Sequence, residues 1–102
     1  MFFHQMRNGS GGVRLALSGE IDLSVRDEFR RILAGYPEVT NLDLHDLTFL
    51  DCSGIGELIR ASTEARERAR TLTVSGPRGT VLRALEVTGV LSLLTLGPDG
   101  SA

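Results

Sequence analysis

A chain of 102 residues with 41% hydrophobic content has the size and composition of one domain around one core, which excludes a disordered chain. With a net charge of −2, no Trp and no basic patch rich in aromatics, it is not built for nucleic acid, and no run approaches the roughly 20 apolar residues of a membrane span. Cys52 is the only cysteine, so no internal disulfide can form; together with the lack of an apolar leader in the first ten residues, this points to the cytosol.

Residues 2–7, opening on Phe2-Phe3, are expected as a short strand. Asn8-Gly9-Ser10-Gly11-Gly12 has turn chemistry. Val13, Leu15 and Leu17 alternate onto one face, giving a second strand and a hairpin with a five-residue loop. Gly19-Glu20-Ile21-Asp22 follows that strand. Ser24 and Asp27 stand three apart as a capping box and open a helix. Its buried stripe is Val25, Phe29, Ile32, Leu33 and Tyr36, and Gly35 and Pro37 end it.

Val39 to Leu44 is expected as a buried strand, His45-Asp46 as the start of a loop, and Leu47 and Phe49 as core residues. A second helix runs from the Asp51–Gly56 turn to about Arg70, with Ile55, Leu58, Ile59, Ser62, Ala65 and Ala69 inward. Thr71 to Ser75 is a strand, and Pro77 suits the first position of a third helix. Val81, Leu82 and Leu85 are its core side and Gly89 stops it. Leu93 to Leu96 is a last strand, and 97–102 a loose tail. The fold class is therefore α/β: one domain over residues 1–102, a mixed β-sheet that starts with a hairpin, and about three helices.

The chemistry-bearing residues concentrate where a strand hands over to the second helix, at Asp51-Cys52-Ser53-Gly54-Ile55-Gly56. Helix N-termini offer free N–H groups and a positive dipole end. Cys52 there is either a reactive thiol or a small residue buried under the turn. A cysteine phosphatase would want an arginine six residues on, where Leu58 stands. Ser53 is either a capping hydroxyl or a phosphorylation candidate. Asp51 is either a cap, a base or a metal ligand. Asp22 also follows a strand, so the two carboxylates share a corner if those strands are neighbours. His4 and His45 lack ligand spacing and are expected at the surface.

Two short runs resemble a known family. Leu17-Ser18-Gly19-Glu20-Ile21-Asp22 is similar to the Leu-x-Gly-Glu-Leu-Asp signature of STAS domains, the bacterial anti-sigma-factor antagonists. Leu47-Thr48-Phe49-Leu50-Asp51-Cys52-Ser53-Gly54-Ile55-Gly56 resembles their second signature, which typically ends Asp-Ser-Ser/Thr-Gly-Leu-Gly. Residues 77–90 resemble the late helix of the family, and the resemblance covers residues 2–96. It implies a STAS-type fold with the helices largely on one side of the sheet. It also implies a non-enzymatic, cytoplasmic switch without metal or cofactor that binds an anti-sigma factor, itself a serine kinase, and frees a sigma factor. The partner would meet Asp22, Asp51, Cys52, Ser53, Gly54, Ile55 and Gly56, the two glycines acting as turn formers. In the family, phosphorylation at the start of the second helix blocks binding and a phosphatase restores it. The usual acceptor position here is Cys52, with Ser53 one place later. Either Ser53 substitutes, or the switch is absent, or Cys52 makes the site redox-sensitive. A scaffold domain in a larger sensory or stress-signalling complex and a Cys52-dependent enzyme are the competing classes.

Overall fold

The computed structural model describes residues 1–9 and 12–97. Its strands are β1 (Phe2–Gly9), β2 (Gly12–Ile21), β3 (Val39–Leu50), β4 (Thr73–Ser75) and β5 (Thr95–Leu96). Its helices are α1 (Arg26–Gly35), α2 (Cys52–Glu67) and α3 (Gly79–Val87), with single 3-10 turns at Leu23–Val25 and Val90–Leu93. The strands lie in sequence order in one sheet; β1 is antiparallel to β2, and every later pair is parallel. The expected mixed sheet with an opening hairpin is what the chain forms.

The hairpin strands are longer than expected. β1 continues through Asn8 and Gly9, and β2 already begins at Gly12. The connection at residues 10–11 lies outside the described residues, as does the tail from residue 98. Gly19-Glu20-Ile21 belongs to β2 rather than following it. Gly19 has φ +91°, and a Cβ there would sit 2.8 Å from the Met1 carbonyl, so the close approach of the N-terminus requires glycine.

The largest departure is in β3. His45-Asp46 is not a loop but part of a twelve-residue strand. Ala16 pairs with Asp43 and Ser18 with Asp46, then Gly19 with Leu47 and Glu20 with Phe49. At each of these two steps β3 uses one residue more than β2, as β-bulges do. The bulges convert a period of two into the inward sequence Leu42, Leu44, Leu47, Leu50, all buried. They also turn Phe49 outward, 44% exposed, where a core position was expected.

One sheet face carries the core. Leu15, Leu17, Leu42, Leu44 and Val74 meet Phe29 of α1, Leu58 of α2, and Val81 and Leu85 of α3, all of them fully buried. Phe2 packs edge-on against Phe29 with ring centroids 5.6 Å apart. The opposite face is polar: Arg14 reaches Asp43 at 3.5 Å, and Asn41 donates to Thr73 Oγ1 at 2.7 Å and accepts from Ser75 Oγ at 3.1 Å.

The helix ends refine the expected boundaries. α2 stops at Glu67, and Ala69, in the left-handed region at φ 58°, is exposed rather than inward. Pro77 precedes α3, which starts at Gly79, and β5 is only two residues long. Gly54 and Gly56 are not turn residues but lie inside α2. A Cβ on Gly54 would come within 2.5 Å of Leu50 Cδ1 and 2.9 Å of Ile21 Cγ2, whereas one on Gly56 would meet nothing within 4 Å. Glycine at 54 lets α2 close onto the strand ends; glycine at 56 has no packing role among the described residues.

Among the described residues Glu57 is the one buried acid, with its side chain 5% exposed. Arg30 of α1 grips it with two nitrogens, Nη2 to Oε2 at 2.8 Å and Nε to Oε1 at 3.1 Å. This charge-assisted fork ties α1 to α2.

Two expectations follow from these contacts. Gly54→Val should lower stability by about 1–3 kcal/mol through overpacking, while Gly56→Ala should raise it by about 0.5–1 kcal/mol through helix propensity. Urea midpoints of the two variants read the opposite signs directly. The second concerns acid. Arg30 holds the Glu57 carboxyl below the usual range against the opposing effect of burial. The folded value therefore lies below the unfolded one, about 4.3, so the contribution is complete above that value and is lost as pH falls through the folded value. Glu57→Gln should thus lower the urea midpoint at pH 7, and its deficit relative to wild type should shrink as pH falls below about 5. A deficit constant across that range would mean that the fork's charge does not matter.

Candidate functional site

β2 and β3 are parallel neighbours, and their last paired residues are Ile21 and Leu50. Asp22 and Asp51 are the next residues on each strand, so they emerge about one strand spacing apart, near 4.8 Å along the sheet. The two acids expected to share a corner do share it. A hydrogen bond joins the two turns directly: the Leu23 N–H donates to Asp51 Oδ2 at 3.1 Å.

The two turns are built alike. Ile21-Asp22-Leu23-Ser24 and Leu50-Asp51-Cys52-Ser53 share the pattern apolar-Asp-x-Ser. In each, the Asp Oδ1 accepts from the N–H of the serine two residues on, at 3.0 Å, and from its hydroxyl. These are Asx turns that start a helix. Asp22 therefore caps the 3-10 turn before α1, and the expected capping box of Ser24 with Asp27 does not form: α1 has no side-chain cap of its own. Asp51 also accepts from the Gly54 N–H at 3.2 Å.

The electrostatics follow. Burial disfavours the Asp51 anion, but the Ser53 hydroxyl and the N–H groups of Gly54, Ser53 and Leu23 more than offset it and hold its carboxyl below the usual range. The Ser24 hydroxyl does the same for Asp22, opposed by burial and, more weakly, by the Asp51 charge. Both acids are anions at neutral pH, each already satisfied by local donors. Neither is placed as a proton-transfer base, and no cluster of three or more metal-ligating side chains occurs among the described residues.

The remaining site residues divide by direction. Cys52, the first residue of α2, is exposed; its expected burial under the turn is not what the chain does. Ser53 is half-buried with its hydroxyl on Asp51. Gly54 and Ile55 are buried and face the core. Gly56 is exposed. Leu23, 66% exposed, and Phe49, 44% exposed, add apolar surface at the same end of the sheet. Neither was expected there. The repeated apolar-Asp-x-Ser pattern was the available signal for Leu23; nothing local to Phe49 announces the bulge that turns it outward.

The fold has counterparts among known proteins. A family model described as "Mlab, STAS domain" matches residues 4–95. An anti-sigma factor antagonist from Mycobacterium paratuberculosis superposes with a TM-score of 0.75 at 22% identity, over 99% of this chain and 89% of that one. The anti-sigma factor antagonist SpoIIAA in its unphosphorylated form gives 0.74 at 20% identity, over 97% and 91%. The Bacillus cell fate determinant SpoIIAA in its phosphorylated form gives 0.67 at 19% identity, over 97% and 95%. Comparison with curated proteins finds no match in sequence. No described helix is long and apolar enough to cross a membrane. With the family model spanning nearly its whole length, the chain belongs to the STAS-domain family.

Proposed function

We propose that this domain is an anti-sigma-factor antagonist: a non-enzymatic, cytoplasmic module that binds an anti-sigma factor with serine-kinase activity and so frees a sigma factor. The observation that carries this reading is the paired corner of Asp22 and Asp51, flanked by exposed Leu23, Cys52, Gly56 and Phe49. An acidic patch bordered by apolar side chains suits a partner surface of opposite charge. Gly56 supports the same face. An exposed helical glycine costs about 0.5–1 kcal/mol, and nothing inside the molecule needs it, whereas close backbone approach by a partner does.

The reading includes the absence of a phosphorylation switch. The position from which the family's hydroxyl would project is occupied by the Cys52 thiol. The Ser53 hydroxyl is turned about 100° around the helix and donates to Asp51. A phosphate on Ser53 would break that bond and place roughly two negative charges against an ionised carboxylate. The domain then stays permanently competent to bind. A second reading, a STAS scaffold subunit of a larger assembly, draws on the same Cys52 and on a family model described by a different protein from the fold neighbours. Capture of other STAS-type chains, with no kinase among the bound proteins, would favour it.

Incubation with the kinase partner and ATP tests the first reading. Wild type should gain no mass, and Cys52→Ser should gain one phosphate. Phosphorylation of wild type that Ser53→Ala abolishes would overturn it and make Ser53 the acceptor. Ser53→Asp should weaken partner binding by several kcal/mol, because a desolvated interface charge is mispaired. Ser53→Ala should bind nearly as wild type.

Cys52 gives a further check. Its exposed thiol should label with a maleimide in the folded protein, and the adduct should block the partner. Full affinity after stoichiometric labelling would remove the start of α2 from the interface.

A further inference from the structure

At the other end of the sheet, beneath the C-terminal half of α2, lies a cavity of about 480 Å³. That is within the span of roughly 300–1,000 Å³ typical of small-molecule sites. Its floor is apolar, with Leu15, Leu42 and Leu72 buried and Leu33, Val39 and Ala65 partly buried around them. Its charged groups are four arginines, Arg30, Arg60, Arg68 and Arg70, against two acids, Glu57 and Glu64. Arg30 and Glu57 neutralise each other. The remainder is three exposed arginines facing one glutamate, a local excess of positive charge in a chain whose net charge is −2.

We infer that this cavity is a binding site for a single-chain amphiphile with an anionic head, its apolar body over Leu33, Val39 and Ala65 and its head among Arg60, Arg68 and Arg70. Two observations choose this occupant. Arg70 already donates to the Pro37 carbonyl at 2.9 Å, but a purely apolar ligand would leave Arg60 and Arg68 unused at the mouth, and a small anion alone would leave the apolar floor wet. Arg60 contacts Glu57 only at 3.7 Å, with half its side chain exposed, so it is free to turn to a ligand. Arginine suits a carboxylate head because its planar fork donates two parallel hydrogen bonds. The site is independent of the Asp22–Asp51 corner, which lies at the opposite ends of the parallel strands.

The chain carries its own reporter, because it has no Trp and its single tyrosine, Tyr36, lines the cavity. Titration of wild type with decanoate below its micelle concentration should change tyrosine emission saturably, at one molecule per chain. Decanol, with the same chain and no charge, and butyrate, with the same head and little chain, should each bind at least tenfold more weakly. The double variant Arg60→Gln/Arg68→Gln should lose at least tenfold for decanoate while leaving decanol unchanged. Ala65→Phe, which fills the cavity, should abolish the response while its circular dichroism stays native. The proposal is overturned if decanoate gives no saturable response, if decanol binds as tightly as decanoate, or if the double variant binds as wild type. Should Ala65→Phe fail to fold, the ligand comparison on wild type and the arginine variant still decides.

Discussion

The carboxylate of Asp51 is the joint on which the geometry of the candidate site depends. Its two oxygens take the N–H groups of Ser53 and Gly54 at the start of α2 and that of Leu23 from the neighbouring turn, besides the Ser53 hydroxyl. A helix start leaves its first N–H groups without backbone partners, and a turn after a strand does the same. One anion satisfies both deficits. It thereby fixes the register between the end of β2 and the start of α2, two segments 28 residues apart in sequence. Asp51 also donates its own N–H to the Ile21 carbonyl at 3.2 Å, which extends the β2–β3 ladder by one step beyond the last apolar pair. Removing the carboxylate would leave several donors competing for water at the same point. The corner's geometry and its charge therefore come from one residue.

A second, independent clamp operates one turn later. Glu57 follows Asp51 by six residues and points inward, where Arg30 holds it in a two-pronged contact. The Arg30 guanidinium is partly exposed, so it remains hydrated while neutralising a carboxylate that is not. That asymmetry makes the pair less costly than one with both ions buried. With Phe29 one residue away in the core against Phe2, α1 is positioned by an ionic contact on one side and an aromatic one on the other. α2 is thus set at its first turn by β2 and at its second by α1, which leaves its far half to line the cavity at the opposite end.

Much of the fold was legible because its helices obey a 3.6-residue period. Phe29, Ile32 and Leu33 on α1 and Ile55, Leu58, Ile59 and Ser62 on α2 are inward as their spacing requires. β3 was only half legible for the complementary reason. Its inward residues after Leu44 are three apart rather than two, so the alternation that marks a strand breaks at the bulges. Local reading then sees a loop at His45-Asp46 and misplaces Phe49. The site followed the same division. The acids were visible as residues after strands, and their proximity needed only that β2 and β3 be adjacent. Cap assignment failed at Ser24 because a serine two residues after an aspartate serves as donor to it, and the sequence alone does not say which of the two oxygen-bearing side chains faces the N–H groups. Glu57 was invisible, since burial of a glutamate depends on an arginine contributed by another helix.

The placement of Cys52 and Ser53 on the helix bears on how a switch could work at all. Both side chains start from the first turn of α2, where N–H groups and the helix dipole favour added negative charge. They leave it in different directions. The first projects to solvent, and the second folds back onto Asp51. A phosphate at the first position would sit outside the carboxylate's immediate contact, over the free dipole end, and would be presented to a partner. One at the second would have to displace a hydrogen bond that helps to lower the Asp51 pKa, beside a charge of the same sign. The same turn would favour a phosphate at the first position and oppose one at the second. Cys52 takes no part in the hydrogen bonds of the cap, so a hydroxyl or a thiol at that outward position would leave the cap and the acids alike. The cap and the outward side chain are separable in this architecture because they rest on adjacent residues that the helix turns to different faces.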